Sequence, residues 1–227
     1  MADNLGYTAG AGTTIAADDI SSVFYQRVKI GLGADGTAND AVAGSGVNGT
    51  GVQRVTIATD DNLLNVGSTV NTTVTRPADT TAYAANDCWS DSTSAPTSGG
   101  FTLTSMARAS GGSGIIDDIV ITSTNDPATL LQGELWLFDT SVTNVNDNSA
   151  FALSDGDVAN LVAVIPFTMQ TTVAGSGTNS YAQISALGIG YTCVGSANLR
   201  FLVKVKNAYT PASAEALKVR CKIRFTT

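Results

Sequence analysis

The feature that most constrains the fold is a strict alternation of apolar and basic residues in the last twelve positions, "ALKVRCKIRFTT" (216–227). Successive side chains of a β-strand point to opposite faces, so a period of two predicts a strand with one buried face and one basic face. The basic positions are Lys218, Arg220, Lys222 and Arg224. The same pattern recurs less strictly over 200–206, which predicts a second strand of this kind.

The composition predicts an all-β protein. Glu occurs only at Glu134 and Glu215, whereas Thr, Ser, Val, Gly and Asn are abundant, so residues that favour strands and turns replace good helix formers. Apolar segments bounded by turn residues add further predicted strands, at 99–110, 114–124, 133–142, 162–169, 181–193 and 198–209. Seven or eight such strands predict a β-sandwich that is jelly-roll-like. Ser154 and Asp157 have capping-box spacing, which predicts a helical turn at 154–161.

The N-terminal third differs from the rest in its pattern of apolar residues. Residues 1–22 show no hydrophobic period and are predicted to form an extended arm. The phrase Gln-Arg-Val-x-Ile then occurs twice, in "VFYQRVKIGLGADG" (23–36) and "NGTGVQRVTIATDD" (48–61), and predicts two short strands joined by a long loop. We therefore expect an arm and two-strand assembly segment at 1–75 and the sandwich at 76–227. Because the strands have little core of their own, we expect them to pair with each other or with adjacent subunits, with Tyr25, Arg27 and Arg54 as interface candidates.

Several classes of chemistry lack the residues they need. The chain contains no His, which removes Ser-His-Asp and Cys-His catalysis and the commonest metal ligand. The GxGxxG match at 44–49 lies in a long loop before a strand, where it cannot form the usual phosphate site. Acidic clusters at 60–62, 117–118, 144–148 and 155–157 favour turns and helix caps over calcium sites, because none follows a known calcium-loop order. A glycosidase using two carboxylates stays open as a minor alternative. We expect no enzyme activity, no metal and no cofactor.

The cysteines, the hydropathy and the charge indicate the redox state of the thiols, the absence of export signals and the kinds of partner to expect. Cys88, Cys193 and Cys221 are widely spaced and odd in number, which favours reduced thiols over disulfides or zinc. No apolar run of membrane-spanning length and no signal-peptide pattern occurs, so we expect neither an anchor nor export. The net charge is −7, but seven basic residues and one acid give +6 over 200–227. An acidic protein is a poor ligand for nucleic acid, and the basic end needs an explanation of its own.

Two segments have an apolar or basic face that needs a partner. In "ELWLFD", Leu135 and Leu137 alternate with Trp136 and Phe138, so the strand is apolar on both faces. It is predicted either to be buried in the core or to contact another subunit; sugar contact is the alternative. The basic face that includes Lys222 and Arg224 is either paired within the chain, with Asp117–Asp118 or Asp139 as candidates, or matched to an acidic neighbour.

Several phrases resemble virion structural proteins of tailed bacteriophages. The phrases are "AADDISSVFYQRVKIGLGADG", "GTGVQRVTIATDD", "TRPADTTAYAANDCW" and "LWLFD…NVNDNSAFALSD". The resemblance covers the chain from Ile15 to about Pro211 and lies in phrasing and order rather than in a catalytic signature. It implies a capsid decoration (cement) protein, or a tail or neck component, with a jelly-roll-like sandwich and a trimeric assembly.

From this resemblance, we expect the chain to bind the major capsid protein of its own virion as a homotrimer, with neither nucleic acid nor membrane as a partner. It would be found on the capsid surface, and in the host cytoplasm during assembly. A tail, neck or receptor-binding component that contacts glycans is the alternative. The interface candidates are Tyr25, Arg27, Arg54, Trp136, Phe138, Lys222 and Arg224.

Overall fold

The structure is a computed structural model, in which the chain forms two compact units, Met1–Asp61 and Asn62–Thr227. In the first unit it describes short stretches of backbone, and in the second unit it describes side chains as well. The described residues are 17–20, 23–26, 31–32, 39–40, 67–171 and 178–226.

The described part of the first unit consists of two short antiparallel pairs. Strand β1 (Ala17–Ile20) pairs with β2 (Val23–Gln26), and β3 (Gly31–Leu32) pairs with β4 (Asn39–Asp40). The end of the expected arm is therefore a strand, which its small and acidic residues did not indicate. The predicted pairing of the two repeated phrases lies outside the described residues.

The second unit contains nearly all of the regular structure and is built from antiparallel strands. Their bounds are β5 (Gly67–Thr75), β6 (Cys88–Trp89), β7 (Phe101–Leu103), β8 (Ser113–Ser123), β9 (Gln132–Phe138), β10 (Leu161–Thr168), β11 (Gln170–Thr171), β12 (Ser180–Ile184), β13 (Ile189–Thr192), β14 (Leu199–Val205) and β15 (Ala216–Phe225). One helical turn, α1 (Asp155–Val158), precedes β10. The all-β prediction is confirmed.

These strands form two sheets. The six-stranded sheet has the order β11-β12-β8-β15-β5, with β13 also paired to β8. The five-stranded sheet has the order β10-β9-β14-β6, with β7 also paired to β14. The two basic strands β14 and β15 therefore lie in different sheets, so their like charges do not oppose each other across a strand pair.

A single hydrophobic core lies between the two sheets. Ile121 and Val219 of the six-stranded sheet and Leu137 and Phe201 of the five-stranded sheet are all buried in it. Each sheet contributes alternate residues, as a sandwich requires. The described unit is therefore an all-β sandwich, and the jelly-roll topology stays a prediction.

The structure begins the sandwich earlier than the sequence suggested. Strand β5 pairs with β15 along its whole length, although the sequence placed it in the N-terminal segment before residue 76. Its pattern was weak because only Val70 and Val74 are buried apolar residues, while Thr72 is polar at an inward position between them. A strand with so few apolar side chains has no clear period of its own.

The predicted helical turn is confirmed in detail. Ser154 is the N-cap of α1, and its hydroxyl accepts a hydrogen bond from the Asp157 backbone at 3.1 Å. Asp157 in turn accepts from the backbone N–H of Ser154, which completes a capping box. Within the described ranges, no helix is long and apolar enough to cross a membrane.

Candidate functional site

The two sheets differ in what covers their outer faces. On the five-stranded sheet, a second small apolar cluster packs against the outside of β9 and β14. Phe138, Val142 and Leu202 are its buried members, and Trp136 and Phe151 pack against them. The ring centroids of Trp136 and Phe151 are 5.2 Å apart. The segment after β9 thus folds back over its own sheet. The chain itself covers this part of the outer face, whereas Val164 of β10 is 37 % exposed.

This covering corrects one interface candidate and qualifies another. Phe138 is completely buried within its own chain, so its side chain cannot contact another subunit in this fold. Trp136 is half-buried, and its ring N–H donates to Glu134 Oε2 at 3.2 Å. The prediction that the strand is apolar on both faces because both are buried holds. On the outer face, residues of the segment 142–153 pack against the strand, and contact of Trp136 with another subunit stays a prediction.

The outer face of the six-stranded sheet has no such cover among the described residues. The buried side chains of β15 alternate with its basic residues, which point outward. In register with these four cations, β5 places Thr73, Asn71, Thr69 and Gly67, and β8 places Thr122, Val120, Asp118 and Ile115. The result is a polar face with a row of positive charges along one strand.

A β-bulge supplies acids to one half of this row. Strand β8 shifts register against β15 between Lys222 and Ile223, which pair with Asp118 and Ile116. Asp117 is therefore the extra residue of the bulge. Because an extra residue reverses the alternation, Asp117 and Asp118 can both lie away from the core, and both are half-exposed.

Both carboxylates bind basic side chains of β15. Arg224 donates from Nε to Asp117 Oδ2 and from Nη2 to Asp117 Oδ1, each at 2.7 Å. Lys222 Nζ lies 3.7 Å from Asp118 Oδ2. The hydrogen bonds from Arg224 lower the pKa of Asp117. The intramolecular alternative for these two cations therefore fits the structure, and neither needs an acid from outside the chain.

The other half of the row has no acids. Within the described part of the chain, no carboxylate lies within ion-pair distance of Lys218 or Arg220. Lys218 is in register with Thr73 on one side and Thr122 on the other. It also borders a groove with a volume of about 480 Å³. The lining residues of this groove are Thr73, Thr122, Ser123, Thr124, Asn179, Ser180, Ala216 and Lys218.

These observations define the candidate site, which we call the open basic face. It consists of Lys218 and Arg220 together with the outward residues of β5 beside them. Two uncompensated cations flanked by hydroxyl and amide groups can bind carboxylate, phosphate or sulfate groups and donate neutral hydrogen bonds around them.

The cations of β14 and of the residue that follows it make a useful contrast. Lys206 lies 2.9 Å from Glu134 Oε1, Arg200 donates to the Thr102 hydroxyl, and Lys204 lies over the Phe151 ring. Burial raises the pKa of Glu134, but the hydrogen bonds from Lys206 and Trp136 outweigh it and lower the pKa overall. Each of these three cations therefore has a partner within the chain.

A buried ion pair connects two of the phrases that carry the virion resemblance. Arg76 and Asp147 have fully buried side chains, and Arg76 Nη2 lies 3.2 Å from Asp147 Oδ2. The Tyr83 hydroxyl donates to Asp147, the Ser90 backbone donates to it at 2.8 Å, and Arg76 Nε donates to Tyr83 at 3.0 Å. Burial, followed by Asp147, raises the pKa of Tyr83 beyond its ordinary range, so Tyr83 stays a neutral donor.

Sequence reasoning missed this network. Asp147 lies in the cluster at 144–148 that was interpreted as a turn, and Arg76 was given no role. Both residues lie in phrases that carry the resemblance, but no local pattern indicates that the two phrases meet. Because the side chains of Arg76 and Asp147 are inaccessible to solvent, the network fixes the two segments against each other rather than binding a ligand.

A second buried carboxylate is held without a cation. Glu215 accepts hydrogen bonds from the Tyr209 hydroxyl at 2.7 Å, from Asn125 Nδ2 at 3.1 Å and from the Ala212 backbone at 3.0 Å, and the Ser123 hydroxyl donates to it as well. Tyr83, Trp89 and Tyr209 form a row of stacked or tilted rings beside it. A carboxyl group that is only 1 % exposed needs hydrogen-bond partners of this kind.

The remaining acidic clusters and the cysteines serve structural purposes in the described residues. Asp157 is used by the helix cap and also accepts from the Thr143 backbone at 2.9 Å. No group of three or more Cys, Asp or Glu in the described ranges is arranged to hold a metal ion. All three cysteines are buried and unpaired, and burial raises the pKa of Cys221 to about 12.

The N-terminal interface candidates are only partly placed. Tyr25 lies in β2, where its backbone pairs with Asp18. Arg27 and Arg54 lie outside the described residues, so their proposed role as anchors stays a prediction.

Comparisons with known proteins give no family assignment. No family model matches the chain, and no curated protein matches it. The site must therefore be interpreted from its own geometry and chemistry.

Proposed function

We propose that this chain is a non-enzymatic virion structural protein that binds and stabilises a phage capsid as a decoration protein. The observation that carries the proposal is the open basic face. The fold balances Lys222 and Arg224 with its own acids, whereas Lys218 and Arg220 have no acid among the described residues and can bind one from a partner. The resemblance of several phrases to virion structural proteins supplies the identity of that partner, the major capsid protein.

Two further features support a binding role. The buried carboxyl groups of Asp147, Asp157 and Glu215 accept hydrogen bonds within the sandwich, and its three cysteines are buried. Residues Met1–Asp61 form a compact unit of their own, which suits a segment that contacts neighbouring subunits. In this proposal the sandwich has a jelly-roll topology, assembles as a trimer and sits on the capsid surface.

The test is to compare particles assembled with and without the chain. We expect many copies, in fixed ratio to the shell subunit, on the head of the particle. Without the chain, the shell should rupture at lower temperature and at lower ionic strength. A few copies confined to the tail, or shells of equal stability in both preparations, would overturn the proposal.

A second candidate function is a tail or receptor-binding component that contacts glycans. The groove beside Lys218 favours it, because threonine and serine hydroxyls with one ammonium group suit an acidic sugar. A glycan array probed with the full chain separates the two functions. Binding to acidic glycans that is lost in Lys218→Gln would favour the second candidate, and no binding would remove it.

A further inference from the structure

Strand β5 is an edge strand without the usual protections. It forms one side of the six-stranded sheet and, within the described part of the chain, pairs only with β15. Proteins commonly protect such edges with charged residues, proline, bulges or very short strands. The sequence of β5, "GSTVNTTVT", has no charge and no proline, and its nine residues pair without a register shift. The opposite edge, β11, is only two residues long.

The backbone of β5 can accept another strand. In an antiparallel pair, alternate residues direct their N–H and C=O groups away from the partner strand. For β5 these outward groups have no backbone partner among the described residues. The strand is nevertheless held from within, because the hydroxyl of Thr72 donates to the Thr102 carbonyl and Val70 and Val74 are buried in the core. A fixed edge about 30 Å long is therefore prepared for pairing.

The charge beside this edge indicates what kind of strand fits it. An added strand would lie roughly 10 Å from β15, with β5 between them. The outward side chains of β5 beside Lys218 and Arg220 are Thr73 and Asn71, which are short. The long side chains of Lys218 and Arg220 can extend over them towards an acid on the added strand. The two cations have no acidic partner in the described part of their own chain, so a carboxylate on the added strand could form an ion pair with each of them.

We propose that the free edge of β5 binds an extended, acidic segment of another protein chain by strand addition. The segment has Asp or Glu at alternate positions, so that they face the same side as Lys218 and Arg220. Main-chain hydrogen bonds to β5 supply affinity, and the two cations supply specificity and set the register. A second copy of β5 fits less well, since its outward face carries Thr and Asn and would bring no acid. The proposal does not depend on the virion role.

The test uses the full chain and synthetic nine-residue peptides with blocked ends. One peptide alternates Thr with Asp, and its matched control alternates Thr with Lys. We expect the Asp peptide to bind at least about tenfold more tightly, measured by calorimetry at fixed salt. Hydrogen exchange should show slower exchange at the amides of β5 when the Asp peptide is bound. Equal affinity for the two peptides, no binding by either, or no added protection in β5 would overturn the proposal.

Two further arms separate backbone pairing from simple charge attraction. An Asp peptide that carries N-methyl groups on the amides facing β5 cannot complete the ladder and should lose binding, with no risk to the fold of the protein. The double variant Lys218→Gln with Arg220→Gln should bind the Asp peptide about tenfold more weakly. The matched control Lys222→Gln, whose cation is paired with Asp118, should change the affinity less than about twofold.

Each of these arms can also contradict the proposal. Undiminished binding of the N-methylated peptide would mean that only charge is recognised. Loss of affinity in Lys222→Gln as large as in the double variant would mean that the whole basic strand acts unspecifically. A concentration-dependent dimer of the full chain that protects β5 without any peptide would assign the edge to a second copy instead.

Discussion

The outer faces of the two sheets differ in how far the chain covers them. The five-stranded sheet is covered by the segment that follows β9, which buries Phe138 and Leu202 and half-buries Trp136. The six-stranded sheet keeps a polar outer face and an unprotected edge strand in the described residues. The outer face over β9 and β14 is thus committed to folding, whereas the outer face of the six-stranded sheet has no such cover among the described residues. The open sheet is therefore where a partner is most reasonably sought.

The largest effect should come from the covered face. Phe138→Ala removes a fully buried ring from the small cluster outside β9, and we expect the free energy of unfolding to fall by about 3–5 kcal/mol. Urea denaturation of the full chain measures it. The control is Val120→Ala on the open face, where the half-exposed side chain should cost about 1 kcal/mol or less. Equal costs at the two positions would mean that the faces are not differently covered.

The second largest effect should come from the buried ion pair between Arg76 and Asp147. It tests whether enclosed charges contribute more to stability than the charges on the open face. Asp147→Asn keeps the shape of the side chain but leaves Arg76 buried without its carboxylate, and we expect a loss of about 3 kcal/mol in the free energy of unfolding. Asp79, the more exposed partner of Arg76, provides the matched control, and Asp79→Asn should cost under about 1 kcal/mol. A loss at Asp147 no larger than at Asp79 would contradict the burial of this pair.

The ion pair at the bulge should give a smaller, pH-dependent effect. The pKa of Asp117 is lowered in the folded chain by Arg224, so its contribution to stability is present above the ordinary Asp pKa of about 3.9 and is lost as the pH falls through the lowered value. The wild-type chain should therefore be more stable than Asp117→Asn at pH 6, and the difference should shrink towards zero in strong acid. Chemical denaturation across this range measures it. A difference that grows on acidification would contradict the pairing.

The smallest effect should come from the free cations themselves. Replacing Lys218 and Arg220 together by Gln removes no contact to an acid within the described residues, so the free energy of unfolding should change by no more than about 0.5 kcal/mol. Thermal and urea denaturation both apply. A clear loss of stability would show that these cations stabilise the folded chain. The open basic face could then no longer be interpreted as a binding site.

Much of the sandwich could be predicted from local pattern. The strands β8, β9, β14 and β15 have strong periodicity and were located within a few residues, as was the cap at Ser154. Strand β5 was missed because a threonine occupies the inward position between its two buried valines. The two-residue strands β6 and β11 are too short to have a period at all.

The candidate site was only half predictable. The sequence identified the basic face of β15 and proposed Asp117 and Asp118 as internal partners, which the structure confirms. It could not identify which cations remain free, since that depends on the register between β8 and β15 and on the bulge at Asp117. It proposed Lys222 and Arg224 as interface residues, which stays a prediction, and it did not single out Lys218 and Arg220, which have no acid among the described residues.

The sequence by itself determined that this chain is a β-protein and which side chains share a face of a strand. A period of two is a local property, because it follows from the geometry of a single strand. Only the tertiary structure decided which outer face is covered, which acids neutralise which cations, and that Arg76 and Asp147 meet across 71 residues of chain. These outcomes depend on the register and order of strands far apart in sequence, and no local pattern contains that information.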